Sequence, residues 1–147
     1  MDIKTQIKLR RKILRCITKH ESGCWIWNKR SRSKGYAQIS FQLDGRTRYT
    51  SPHRLAYILF RNRMDLMTDK KMFVCHKCDN KDCVNPNHMF VGDWLENAMD
   101  DVLRNPKVSK GFMIKITELY RKKHGIHKSV IIRRLVNAPR PIKPHPN

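Results

Sequence analysis

The sequence predicts an α+β fold in which short helices and hairpins are held together by a metal ion. Three observations lead to this prediction. Apolar residues recur with helical spacing near the start of the chain, residues alternate between polar and apolar over 36–43, and cysteine and histidine cluster over 75–88. A chain of 147 residues can form one domain with a modest core, or a small domain with an appended module.

The start of the chain is predicted to be a basic amphipathic helix over residues 1–20, within an N-terminal unit spanning 1–22. Lysine and arginine would occupy one face of this helix. The opposite, apolar face is predicted to contain Ile3, Ile7, Leu14 and Ile17. Gly23 interrupts the helical pattern, and the aromatic segment from Cys24 to Trp27 is typical of a strand.

Residues 35–50 are predicted to form a β-hairpin, because the alternating segment is followed by Asp44-Gly45, a strong turn signal. One face is expected to be apolar, and the other polar and cationic. A two-stranded ribbon of this kind fits the major groove of DNA. The candidate DNA contacts are Gln38, Gln42, Arg46 and Arg48. An ordinary half-buried hairpin with a solvated face explains the pattern equally well.

Two helices and a short strand are predicted between the hairpin and residue 104. The first helix spans His53–Arg61, and a strand at Phe73-Val74 leads into the cysteine cluster. The second helix spans Trp94–Leu103. It is preceded by Asp93, with Glu96 three residues later, which is the signature of a capping box.

The C-terminal part is predicted to contain a linker over 105–111, a helical module over 112–137 and a disordered proline-rich tail over 138–147. Two helical patterns flank Gly125, which favours a helix-turn-helix or a related DNA-binding module. Its candidate DNA contacts are Lys128, Arg133 and Arg134. The alternative is a plain helical hairpin packed on the core.

The charge of the chain points to a nucleic-acid partner. It has 32 lysines and arginines against 12 acidic residues, a formal charge of +20, and phosphate neutralisation would relieve the resulting repulsion. A ribosome-type or membrane-surface basic protein is the alternative. Neither an export signal nor a membrane-spanning segment is visible, so we expect a reducing cytoplasm, where clustered cysteines bind metal rather than form disulfides.

A zinc site is predicted from Cys78, Cys83 and His88, which are spaced C-x4-C-x4-H. Three thiolate and imidazole ligands suit tetrahedral zinc, and a closed structural site needs a fourth. The preferred fourth ligand is Cys24, and the alternatives are Cys75 and Cys16. The competing interpretation is a set of buried free cysteines.

His76 stands beside this cluster and is a candidate general base, because an imidazole titrates near neutrality and can take a proton from water. A satisfied core histidine is the alternative. Phosphodiester hydrolysis also needs a divalent cation with oxygen ligands. Asn97 and Asp101 offer such oxygens one helical turn apart, and Asp100 lies between them.

These motifs together resemble the zinc-bound HNH endonucleases of phages and introns, within the ββα-metal (His-Me finger) group, and their spacing also resembles the His-Cys-box homing enzymes. The resemblance covers about residues 23–104, a predicted nuclease core. The motifs that carry it are Gly23-Cys24-Trp25-Ile26-Trp27, Gly35-Tyr36, His53-Arg54-Leu55-Ala56-Tyr57, His76-x-Cys78-Asp79, Cys83-x-Asn85-Pro86-x-His88, Gly92 and Glu96-Asn97.

The resemblance implies a ββα-metal finger in which His76 activates water and Asn97 binds one catalytic divalent ion, Mg²⁺ or a similar cation. It also implies a structural Zn²⁺ and an arginine, Arg48 or Arg54, at the scissile phosphate. Many HNH enzymes have an acidic metal ligand immediately before the base histidine. Here Cys75 occupies that position, which favours an ion held by Asn97 with help from Asp100 or Asp101.

The predicted function is therefore metal-dependent hydrolysis of phosphodiester bonds in double-stranded DNA, by an enzyme acting in the cytoplasm of a bacterial host if it is phage-encoded. A homodimer that cuts both strands and a monomer that nicks one both fit the sequence. The main alternative is a non-catalytic, zinc-stabilised, sequence-specific DNA-binding protein. A protein that binds or cuts RNA is a further one.

Overall fold

The computed structural model describes residues 1–29, 37–105 and 107–127, and it confirms the α+β class. Within these ranges the helices are α1 (Ile3–Leu14), α2 (Pro52–Phe60), α3 (Trp94–Arg104) and α4 (Lys110–His124). The strands are β1 (Ile17–Lys19), β2 (Trp25–Trp27), β3 (Ile39–Leu43), β4 (Arg46–Thr50), β5 (Phe73–His76) and β6 (Met89–Gly92). Each strand pairs with its neighbour in sequence, as β1-β2, β3-β4 and β5-β6. The order β5, β6, α3 is that of a ββα-metal finger.

The chain divides into two compact units. Of the described residues, the first contains those within Met1–Lys70 and His76–Phe90, and the second contains Lys71–Cys75 and those from Val91 to residue 127. The zinc-ligand residues lie in the first unit. The second is built on α3 and α4. No helix among the described residues is long and apolar enough to cross a lipid bilayer.

Helix α1 is shorter than predicted and buries a different face. It begins after Asp2, whose carboxylate accepts the Thr5 backbone N–H at 2.8 Å, and it ends at Leu14. The predicted apolar face is wrong, because the helix buries Leu9 and Ile13 instead. Three of the four residues assigned to that face are exposed, namely Ile3, Ile7 and Leu14.

The end of the predicted first helix is strand β1, which contains Ile17. It pairs antiparallel with β2 in the register Ile17↔Trp27 and Lys19↔Trp25. The β-branched pair Ile17-Thr18 favours an extended backbone. Gly23 allows the chain to turn back from β1 to β2, because its φ of 78° lies in the left-handed region, where a residue with a side chain is strained.

The β3-β4 hairpin forms as predicted. Asp44 and Gly45 have φ values of 51° and 71°, as a two-residue type I′ turn requires. The register pairs Phe41 with Arg48, and directly paired residues project from the same face of a hairpin. Other pairs are Leu43 with Arg46 and Gln42 with Thr47. The prediction of separate apolar and cationic faces is therefore wrong, since the arginines emerge on the face of buried Phe41.

Helix α2 packs against α1 and contributes five buried residues to the core of the first unit. Its buried residues are Pro52, Leu55, Ala56, Ile58 and Leu59. The Arg10 guanidinium of α1 donates to the Leu59 carbonyl oxygen and lies 5.9 Å from the centre of the Phe60 ring. The helix begins at Pro52, where the missing N–H carries no cost.

Helix α3 has the predicted capping box. The Asp93 carboxylate accepts the Leu95 and Glu96 backbone N–H groups, and the Glu96 carboxylate accepts the Asp93 N–H at 2.8 Å. Helix α4 begins at Lys110, inside the predicted linker, because the Ser109 hydroxyl accepts the Phe112 N–H. It ends at His124, and the capping residue Gly125 that follows has a φ of 60°.

The two helices of the second unit pack through an apolar cluster formed by Leu95, Met99, Val102 and Ile116. At one end of α3, Lys123 pairs with Asp93 at 2.6 Å and with Glu96, which also contacts His124. The second helix predicted for the C-terminal module lies outside the described residues. So do the candidate DNA contacts Lys128, Arg133 and Arg134 and the tail over 138–147.

Candidate metal centre and active site

The first unit brings together three cysteines and one histidine in a tight cluster. The ligand atoms of Cys24, Cys78, Cys83 and His88 all lie within 4.8 Å of one another. His88 Nδ1 is 3.4 Å from the Cys24 sulfur and 3.7 Å from the Cys83 sulfur. Around tetrahedral zinc, bond lengths of about 2.3 Å to sulfur and 2.0–2.1 Å to nitrogen separate the two ligand atoms by about 3.5 Å. The residues therefore fit a structural Zn²⁺.

Backbone hydrogen bonds between β2 and the segment around Cys83 place Cys24 next to the other three ligands. The Val84 N–H donates to the Trp25 carbonyl oxygen at 2.8 Å, and the Trp27 N–H donates to the Asp82 carbonyl oxygen at 2.8 Å. These bonds and the bridge between Ile26 and Cys83 dock the zinc loop, residues 78–88, against β2. Cys24 thus completes the group. The two alternatives, Cys16 and Cys75, are buried outside it.

Two neighbours of the cluster have positioning roles that the sequence did not reveal. The buried Asn85 side chain donates to the Gly23 carbonyl oxygen at 2.6 Å and accepts the Asn87 N–H at 3.0 Å. It thereby ties the zinc loop to the segment before Cys24. A Cβ on Gly23 would lie 3.3 Å from His88 Nε2, so the backbone approaches the imidazole closely. Both residues fall within the motifs that carry the family resemblance, which is the signal that could have identified these roles.

The thiols of the cluster are poised for metal binding. A hydrogen bond with Cys83 lowers the pKa of Cys78 to about 5, because it stabilises the Cys78 thiolate. The pKa of Cys83 is raised, mainly by the same hydrogen bond and secondly by burial. Two sulfurs that share one proton favour a single thiolate, and a bound cation favours deprotonation of both.

His76 is the last residue of β5, and its ring is fixed by the zinc loop. Its Nε2 lies 2.8 Å from the Cys83 carbonyl oxygen. A carbonyl oxygen only accepts, so Nε2 must carry the proton, and Nδ1 of the neutral ring keeps its lone pair. The His53 ring packs on it, with 4.7 Å between ring centres and an angle of 54°. Cys83 therefore contributes its sulfur to the cluster and its carbonyl oxygen to His76.

The candidate divalent-ion ligands lie on α3 in the second unit. The exposed Asn97 side chain accepts a hydrogen bond through Oδ1 from the buried Cys75 thiol at 3.0 Å. Burial and the nearby Asp100 carboxylate raise the pKa of Cys75 to about 11, so the thiol keeps its proton and remains a donor. Asp101 instead accepts from the Asn105 side chain at 3.3 Å, at the end of the helix.

The two arginines proposed for the scissile phosphate have different surroundings. Arg54 is partly buried and donates to the carbonyl oxygens of Leu66 and Asp69 at 2.7 and 2.5 Å, so its guanidinium supports the fold. Arg48 is exposed on β4. Among the hairpin glutamines, Gln38 is exposed, and Gln42 donates to the Thr47 hydroxyl at 2.8 Å.

Comparison with known proteins agrees with this geometry. The sequence model of the family described as the zinc-binding loop region of homing endonucleases matches residues 23–102. The chain is also similar to Protein 2.8 of Escherichia phage T7. The two are 32% identical over 108 residues, which cover 74% of this chain and 69% of that protein. No solved structure matches the chain.

Proposed function

Because this chain belongs to the family defined by the zinc-binding loop region of homing endonucleases, we propose that it is a metal-dependent endonuclease that hydrolyses phosphodiester bonds in duplex DNA. The observation that carries the proposal is the hydrogen bond between His76 Nε2 and the Cys83 carbonyl oxygen. A histidine held for its bulk alone needs no fixed tautomer. A general base must present one defined nitrogen lone pair.

The proposed reaction begins with a proton transfer from water to His76 Nδ1. The water oxygen forms a bond to phosphorus, and the bond from phosphorus to the 3′ oxygen breaks. The departing 3′ oxygen takes a proton from solvent water and His76 returns its proton to solvent, so the products are a 5′ phosphate and a 3′ hydroxyl. His53 packs against one side of the ring and limits its rotation. The Cys83 carbonyl also stabilises the imidazolium that forms, because its dipole faces the Nε2 proton.

Asn97 is the proposed ligand of the catalytic divalent ion, Mg²⁺ or a similar hard cation. When bound, such an ion neutralises charge on the scissile phosphate. The donor set fits it, since Asn97 offers an amide oxygen and α3 carries carboxylates. Asp100 and Asp101 both remain candidates for the nearby acid. Asp100 pairs with Arg104 at 2.8 Å, and Asp101 accepts from the Asn105 side chain at 3.3 Å.

Arg48 is the proposed phosphate contact. An arginine that binds a phosphate needs free N–H groups on its guanidinium fork. Within the described ranges no hydrogen bond or ion pair engages Arg48, whereas Arg54 is held by two backbone carbonyls. The hairpin remains the proposed groove element, with Arg46 and Arg48 on one face and Gln42 on the other.

The test is cleavage of supercoiled plasmid by the zinc-loaded wild type and by His76→Ala and Asn97→Ala, with Mg²⁺ and with EDTA. We expect Mg²⁺-dependent cutting that falls by about 10²–10⁴-fold in His76→Ala. His20→Ala, which removes a half-buried imidazole outside the site, should cut normally. Nicked product would indicate one active centre per event, and linear product would indicate a symmetric pair.

Zinc content and DNA affinity of each variant separate catalysis from folding. Both catalytic variants should keep zinc and still bind duplex DNA. If the wild type binds DNA but cuts none with Mg²⁺, Mn²⁺ or Ca²⁺, the endonuclease proposal fails and a zinc-stabilised DNA-binding protein replaces it. Preference for structured RNA over duplex DNA at matched salt would reject the proposed substrate.

A further inference from the structure

One face of α1, continued by the capping residue Arg15 that follows it, presents a straight row of four cations. Lys4, Lys8, Arg11 and Arg15 follow one another at intervals of four, three and four residues. At 100° per residue these positions fall within about 60° of helix circumference. We call this row the basic stripe. Its side chains, with Ile7, line a shallow cavity of about 390 Å³.

The stripe differs from the other cations of α1, which are used inside the molecule. Arg10 donates to the Leu59 carbonyl oxygen, and Lys12 donates to the Ser40 carbonyl oxygen at 2.8 Å. By contrast, no side-chain hydrogen bond or ion pair engages the stripe within the part of the chain that the structure describes. The stripe side chains therefore make no internal polar contact there.

The stripe also opposes the stability of its own helix. Like charges three and four residues apart repel each other, and the stripe contains three such neighbouring pairs. The helix itself contains no acidic residue, and Asp2 before it is engaged by the backbone and hydroxyl of Thr5. An arrangement that repels itself and makes no side-chain hydrogen bond or ion pair with the described residues is suited to an external polyanion.

We propose that the basic stripe binds the phosphate backbone of duplex DNA outside the cleavage centre, independently of base sequence. The stripe extends about 16 Å along the helix axis, and duplex DNA carries one phosphate charge per about 1.7 Å of its own axis. Lys12 fixes α1 to β3, the first strand of the hairpin proposed for the groove. The inference rests on the proposed function for the identity of the polyanion, but not for the catalytic residues.

The experiment measures binding of a labelled 30-base-pair duplex between 50 and 200 mM KCl. The stripe variant is Lys8→Gln with Arg11→Gln. Its matched control is Lys70→Gln with Lys107→Gln, which removes the same charge from two exposed lysines outside the stripe. Each lost phosphate contact lowers the slope of log affinity against log salt by about 0.9. We expect a loss of about 1.8 in slope and about 60-fold in affinity at 0.1 M salt.

Folding does not confound this comparison, because removing like charges should leave α1 at least as stable, which circular dichroism checks. A stripe variant with the slope of the wild type, or with the slope of the control, overturns the inference. So does a stripe variant that keeps DNA binding but loses binding to anionic phospholipid vesicles. That outcome would assign the stripe and the exposed Ile3, Ile7 and Leu14 to a membrane surface.

Failure of the inference is distinguishable from failure of the proposed function. A wild type that binds and cuts DNA, together with a stripe variant of unchanged salt dependence, overturns the stripe alone. A wild type that binds no duplex at any salt concentration overturns both. A stripe variant that cuts at the wild-type rate when saturated, but needs more DNA to saturate, supports the stripe as a binding surface remote from the chemistry.

Discussion

Substitution of Asn85 by alanine should weaken zinc binding without removing a zinc ligand. Asn85 is the one buried polar residue of the described core, and its side chain joins the two segments that supply the zinc ligands. Asn85→Ala removes the bond to the Gly23 carbonyl oxygen at 2.6 Å and the bond from the Asn87 N–H at 3.0 Å. The backbone pairing of β2 alone would then hold Cys24 against the zinc loop.

The magnitude follows from those two bonds. Gly23 and Asn87 are exposed, so water can replace part of what is lost, and each bond contributes about 1 kcal/mol rather than the full cost of a buried unsatisfied group. A total of about 2 kcal/mol corresponds to about a 30-fold weaker zinc affinity, if the loss falls on the zinc-bound state. This lies inside the roughly 10–100-fold range for residues that position metal ligands.

Zinc affinity can be measured by competition with a chromophoric chelator at neutral pH. Asn87→Ala is the matched control, because it truncates an exposed asparagine two residues away whose side chain, among the residues described, hydrogen-bonds with Arg61 alone. We expect less than a threefold effect for this control. An Asn85→Ala affinity within threefold of the wild type would refute the reasoning, as would equal losses in the two variants.

Substitutions at three other positions test separate parts of the structure. Gly23→Ala places a side chain at a φ of 78° and should lower the melting temperature of the zinc-loaded protein by several degrees in calorimetry; no change would contradict the strain argument. Cys75→Val removes the hydrogen-bond donor to Asn97 and should raise the Mg²⁺ concentration for half-maximal cleavage about tenfold. Cys75→Ser keeps a donor, so its Mg²⁺ requirement should lie between those of the wild type and Cys75→Val. Equal effects of the two substitutions would contradict a positioning role for Cys75. The pKa of Asp93 is held well below its usual range, mainly by a hydrogen bond with Glu96 and secondly by one with Lys123. The ionised Asp93 therefore stabilises the fold above about pH 4, and this stabilisation is lost as pH falls through the folded-state pKa. In Lys123→Met that pKa should rise in an NMR titration, and an unchanged value would show that Glu96 alone sets it.

Local signals in the sequence predicted most of the elements. The Asp44-Gly45 turn and the alternation before it locate the β3-β4 hairpin, and the Asp93 capping box locates the start of α3. These features depend on residues a few positions apart, so their physics can be read from the chain alone. The spacing within 75–88 likewise predicted three members of the metal group without any knowledge of the fold.

Features that depend on partners distant in sequence were predicted less well. Nothing local shows that α1 buries Leu9 and Ile13 rather than Ile3 and Ile7, because that choice depends on where α2 lies. Cys24 could be preferred over its alternatives, but only the pairing of β2 with the zinc loop brings it there. Arg54 illustrates the same point, since its carbonyl partners are 12 and 15 residues away.

The position of Cys83 links the structural metal to the proposed chemistry. Its sulfur belongs to the zinc group, and its carbonyl oxygen fixes the tautomer of His76, so one residue serves both centres. Loss of zinc would release the loop that holds this carbonyl, and the imidazole would lose its defined lone pair. Cleavage should therefore depend on zinc even though zinc takes no part in the reaction. Chelation that removes zinc but leaves Mg²⁺ in excess should abolish cutting, and restoring zinc should restore it. Full activity of a zinc-free protein would show that the loop holds His76 without its metal.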